Sequence, residues 1–70
     1  MTPAQMARAR ERLGLTLEQM ARMLGYEGEQ AKSQAHHLET GRRDLRPAQR
    51  RLVDAYIAGY RPKDWPGDDN

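Results

Sequence analysis

The stretch LTLEQMARMLG, Leu15 to Gly25, constrains this chain more tightly than any other feature. Thr16 is placed to cap a helix N-terminus, and Gln19 follows three residues on, where the reciprocal partner of a capping box belongs. Leu17, Met20, Ala21 and Leu24 recur at helical spacing and give the segment one apolar face. Gly25 can adopt positive φ just past the last turn and so end the helix. The spacing predicts a helix over about 17–24. Ala21, four residues before Gly25, leaves room for a second helix to cross closely once the chain has turned.

The rest of the sequence repeats this grammar. Thr2-Pro3-Ala4-Gln5 is a second capping box with Pro at the first helical position, which predicts a helix from Pro3 to Leu13 with Met6, Ala9 and Leu13 inward. A third helix over about 29–40 turns Ala31, Ala35 and Leu38 inward. A fourth starts at Pro47 and stops at Gly59, with Leu52, Val53, Tyr56 and Ile57 inward. Gly14, Gly25, Gly41 and Gly59 each follow one of these patterns. No segment alternates with period two, and Val53 and Ile57 are the only β-branched aliphatics. The expected fold is all-α, a compact domain of four to five helices spanning residues 1–60, followed by a tail over 61–70. In that tail Pro62 and Pro66 prevent a long helix. Tyr60 and Trp65 are expected to fold back as a lid on helices 1 and 4, with residues 67–70 frayed.

Composition narrows the function classes. Seventy residues bury only about 60% of their unfolded surface, which leaves a thin core and no room for a ligand-binding domain. Cysteine is absent, which removes disulfides and thiolate metal sites and fits a reducing cytoplasm. No apolar run has the length of a membrane span or the form of a signal-peptide core, so no membrane partner is expected. The formal charge is only +2, but Arg42, Arg43, Arg46, Arg50 and Arg51 face a single acid, Asp44, within ten residues. Such a belt is either a solvated charged face or a surface for phosphate.

The belt follows a helix whose outward stripe is Gln30, Ser33, Gln34 and His37, flanked by Lys32 and His36. Amide, hydroxyl, amine and imidazole groups offer donors and acceptors without fixed negative charge. Base edges in the major groove require that chemistry: Gln suits adenine, Lys suits guanine, and Ser serves either. A solvated helix face is the bland reading of the same stripe. Adjacent residues on a helix point about 100° apart, so His36 and His37 cannot chelate one ion together, and His36 with Glu39 makes a poor two-ligand site. No metal and no cofactor are expected.

Taken together, LTLEQMARMLG and the later HHLETGRR, His36 to Arg43, resemble the helix-turn-helix domain of the lambda-repressor/Cro (Xre) family of bacterial and phage transcription regulators. The resemblance covers Arg10 to Arg46, with one departure. Gly25 and Glu39 stand fourteen residues apart, an insertion of about four residues, one helical turn, assigned to Tyr26-Glu27-Gly28-Glu29. Either the turn is longer or the third helix gains a turn at its start. The resemblance implies that the third helix reads bases through Lys32, Ser33 and His37, with Gln34, His36 and Gln30 beside them. It implies that Arg42, Arg43 and Arg46 hold phosphate, with Thr16 adding a contact from the start of helix 2. It also implies a structural ion pair between Arg10 and Glu39.

The function so implied is a sequence-specific regulator of double-stranded DNA, a repressor acting as a homodimer on an inverted repeat. Small phage and mobile-element autorepressors of the anti-CRISPR-associated type belong to this class. Tyr56, Ile57, Tyr60 and Trp65 are the candidate dimer surface, and the protein would be cytoplasmic, nucleoid-associated when bound. The alternative is an antitoxin or adaptor whose main role is to bind a protein partner, with Tyr60 and Trp65 as anchors. An enzyme is not expected. The chain has no Cys nucleophile, no carboxylate pair on one helix face and no glycine-rich phosphate loop. RNA binding would want aromatics for base stacking, and the outward stripe contains none.

Overall fold

The computed structural model describes residues 1–66. Its described residues form four helices and no strand: α1 (Pro3–Leu13), α2 (Leu17–Met23), α3 (Ala31–Thr40) and α4 (Pro47–Ile57). The all-α expectation therefore holds, with four helices rather than five.

The first two helices begin as their sequences dictate. Gln5 N–H donates to Thr2 Oγ1 at 3.1 Å while Thr2 N–H donates to Gln5 Oε1 at 2.9 Å, and Thr16 and Gln19 repeat the same pair of bonds at the same distances. These bonds satisfy backbone donors that a helix start leaves open. α4 uses half of the device: Arg46 N–H donates to Gln49 Oε1 at 3.0 Å. The other end of that amide goes elsewhere, as Gln49 Nε2 donates to Leu24 O at 3.2 Å and ties the start of α4 to the end of α2.

Two boundaries differ from expectation. α2 ends at Met23 with Leu24 as its C-cap, one residue early. α3 begins at Ala31 instead of residue 29, so the inserted residues lengthen the turn and add nothing to the helix. The cause is local. Gly25 and Gly28 sit at φ +97° and +82°, which breaks the helical path twice between α2 and α3. The turn then closes through Ala31 N–H to Gly28 O at 3.2 Å.

The core gathers Met6 and Ala9 from α1, Leu15, Met20, Met23 and Leu24 around α2, Leu38 from α3, and Val53 and Tyr56 from α4. Leu13, Leu52 and Ile57 are half-buried at its margin. Leu15 and Met23, which the periodicity left out, are as buried as the expected positions. A second, smaller cluster joins Ala21 to Ala31 and Ala35, with Leu17 and Tyr26 packed against it. All three alanines are essentially inaccessible, and α2 with α3 forms the most extensive helix pair. Small side chains at the crossing let the two helices approach, which fixes the direction in which α3 projects.

The tail closes over α4. Trp65 meets Tyr56 edge-on with ring centroids 5.1 Å apart, and Tyr60 stacks on Tyr56 at 6.0 Å. Arg61 binds the segment down, with Nη1 donating to Tyr56 O at 2.7 Å and its guanidinium 4.3 Å from the Trp65 ring centre. The expectation of frayed ends at residues 67–70 lies outside the described residues.

Candidate nucleic-acid interface

With Ala31, Ala35 and Leu38 turned into the α2 and α1 packing, the opposite side of α3 is set by geometry. Residues Lys32, Ser33, His36 and Thr40 are exposed. His37 is half-buried at one flank of this face. Gln30, also exposed, is the N-cap residue of α3 and makes no side-chain cap bond. Thr40 was missed by sequence reasoning, although its spacing from Ser33, His36 and His37 is the signal that finds it. Its hydroxyl donates to His36 O at 3.0 Å, which leaves the oxygen's two lone pairs free to accept.

Gln34 departs from the expected stripe. It is half-buried, and its Oε1 is buried without a hydrogen-bond partner. Three residues after Ala31 and four before Leu38, it shares their side of the helix and so borders the core.

A groove between α2 and α3 is lined by Arg10, Thr16, Leu17, Glu18 and Lys32. It brings the exposed Thr16, at the start of α2, beside Lys32 in the first turn of α3. The two acids nearest this surface are already engaged. Glu18 pairs with Arg22 one helical turn on, at 2.6 Å. Glu39 is held by Arg10 through Nε to Oε2 at 2.6 Å and Nη2 to Oε1 at 3.4 Å. The third Arg10 donor, Nη1, reaches Leu15 O at 3.0 Å. This pair is only 19% and 11% exposed, so α3 carries its one carboxylate folded against α1. Among the described residues, exposed acids outside any ion pair flank α3 on both sides, Glu27 and Glu29 in the inserted turn and Asp44 in the loop after it.

Of the arginines after α3, Arg42 and Arg46 are exposed. Arg43 is half-buried and otherwise occupied: its Nε donates to Tyr26 Oη at 3.0 Å, and its guanidinium carbon lies 5.3 Å from the Tyr26 ring centre. Tyr26 thereby links the turn before α3 to the loop after it, a role sequence reasoning did not assign.

Tyr56, placed on the dimer surface from sequence, is 3% exposed, and its hydroxyl donates to Met23 O at 3.2 Å. It belongs to the monomer's core because α4 turns it inward and Tyr60 and Trp65 of the tail pack against its ring. Ile57 and Trp65 are half-buried, and Tyr60 is 54% exposed. His36 and His37 rings stand 6.4 Å apart, and among the described residues no group of three metal-ligating side chains occurs. Among those residues, too, no helix is long and apolar enough to cross a membrane.

Neither curated proteins nor solved structures return a match to this chain. A family model described as a helix-turn-helix domain does match, over residues 4–61, which takes in α2, α3 and α4 whole and α1 but for its first residue. The chain belongs to this helix-turn-helix domain family.

Proposed function

We propose that the protein is a sequence-specific regulator that binds double-stranded DNA with α3 in the major groove. The outward face of α3 carries the reading. It presents Lys32, Ser33, His36 and Thr40 without a free carboxylate, because Glu39 is taken up by Arg10. His37 and Gln30 extend the reading surface at its edges, and Gln34 supports it from the core side. Thr16, Arg42 and Arg46 are the phosphate contacts, one before and two after the reading helix. They set position and orientation and carry no sequence information. Arg43 acts through Tyr26, holding the loop that bears Arg42.

A single helix of ten residues reads few base pairs. We therefore infer a repressor that binds an inverted repeat as a homodimer, with half-sites about 10–10.5 base pairs apart or a multiple of that. Tyr60, the one large hydrophobic side chain exposed among the described residues, is the centre of the pairing surface, with Trp65 beside it. Autorepression in a phage or mobile element is the setting this reading suits best.

The test is selection of bound duplexes from a random pool, followed by titration of the selected site and a scrambled duplex. Lys32→Ala, Ser33→Ala, His36→Ala and His37→Ala are each expected to lose about 1–3 kcal/mol on the selected site and little on the scrambled one. Equal losses on both duplexes would show that α3 does not read bases. A selected site without two-fold symmetry, bound by one chain, would refute the dimer.

A further inference from the structure

Among the surfaces that the DNA reading leaves unused is the groove between α1 and α4. It has a volume of about 290 Å³ and is lined by the apolar Met1, Ala9 and Ile57, by Gln5, and by the exposed Arg8, Arg12 and Arg50. Arg8 and Arg12 are one helical turn apart on α1. Arg10, which lies between them in sequence, points to Glu39 of α3. Residues two positions either side of Arg10 are rotated about 200° from it, so Arg8 and Arg12 face away from the reading helix. Arg8 and Arg12 form no ion pair among the described residues. Arg50 has only a 3.5 Å contact with Asp54, both side chains being more than half exposed, which is a weak pair.

We propose that this groove is a docking site for an acidic amphipathic helix of a partner protein. Guanidinium groups beside an apolar lining match a helix that places aliphatic side chains at i, i+3 or i+4, and i+7 and carboxylates along the flanks. Nucleic acid fits less well, since a phosphate backbone has nothing to bury against Met1, Ala9 and Ile57. A second copy of the chain fits less well again. A two-fold contact would set the same three arginines against their own counterparts.

The experiment uses the full chain and two fluorescent synthetic peptides of about 16 residues, roughly four helical turns. One has leucines on a single helical face and glutamates flanking it; the other is a scramble of the same composition. Anisotropy titrations are run at low and moderate salt with wild type and with the Arg8→Gln/Arg12→Gln double variant. Both positions are exposed, and Arg50→Gln serves as an independent variant should the double one fold poorly. The amphipathic peptide is expected to bind wild type at least about tenfold tighter than the scramble, and to lose about tenfold in either variant. Duplex DNA binding is expected to keep its salt slope. Equal binding of the two peptides, or peptide binding unchanged in the variants, would overturn the proposal. A salt slope for DNA lower by about 2 in the double variant would assign the face to phosphate instead. A change in self-association by sedimentation would assign it to a second copy. The DNA titrations score the base-reading proposal separately, so the two readings fail independently.

Discussion

Removing Glu39 tests whether the ion pair behind α3 is structural. An exposed pair is worth about 0–1 kcal/mol, whereas breaking a buried pair costs about 3–5 kcal/mol because the remaining charge is stranded. Here Glu39 is 11% and Arg10 19% exposed, and the carboxylate takes two of the guanidinium's donors. Glu39→Ala would leave Arg10 with one protein partner, Leu15 O. This places the loss near the lower edge of the buried range, about 3 kcal/mol. A domain of this length has about 4–10 kcal/mol of stability in all, so the variant should lose about 30–75% of it. Its melting temperature should fall by about 12–24 °C. Arg10→Ala should cost at least as much, because Leu15 O also loses its donor. Urea denaturation of both single variants and of the double variant closes a cycle, with an expected coupling of about 2 kcal/mol. Single losses below about 1 kcal/mol with no coupling would show that the pair behaves as a surface pair.

The remaining expectations concern other joints of the structure. Gln49→Ala should cost about 1–3 kcal/mol in urea denaturation, because it strands Leu24 O and Arg46 N–H at the junction of α2 and α4. Burial, chiefly, and then the nearby Asp64 and Tyr60 raise the Tyr56 hydroxyl above its ordinary pKa of about 10. The folded state therefore resists an ionisation that the unfolded chain undergoes, so this contribution is complete below pH of about 10 and is lost as the pH rises beyond it. Melting curves from pH 8 to 11 should fall less steeply for Tyr56→Phe, which at neutral pH lacks the bond to Met23 O and starts about 1 kcal/mol less stable. Arg42→Ala and Arg46→Ala should each weaken binding to all duplexes alike and lower the salt slope by about 0.9, and unchanged slopes would mean these arginines are merely solvated.

The sequence alone determined where three of the helices start. At Thr2, Thr16 and Pro47 the start depends on a side chain or ring within three residues of the backbone it serves, which makes it local. It also determined that Ala21 would lie at a close crossing and that Ala31, Ala35 and Leu38 would turn inward, because helical periodicity is a property of consecutive residues. What it left undecided depends on contacts between distant residues. One outcome was local: the insertion lengthens the turn and not α3 because Gly25 and Gly28 take positive φ, and the Tyr26–Arg43 contact, seventeen positions apart, then ties that turn to the loop after α3. Gln34 looked like a reader because its chemistry suits a base edge, but its angular position beside the core decides where the amide lies. Gln49 gains its buried partner only when the fold brings Leu24 O to it from twenty-five residues away. Tyr56 reads both as an inward residue of α4 and as part of a dimer surface, and Met23 O, Tyr60 and Trp65 closing around it decide for the core. Caps and stripes are written in neighbouring residues, whereas the burial of one particular side chain depends on which parts of the chain are folded against it, and only the tertiary structure decides that.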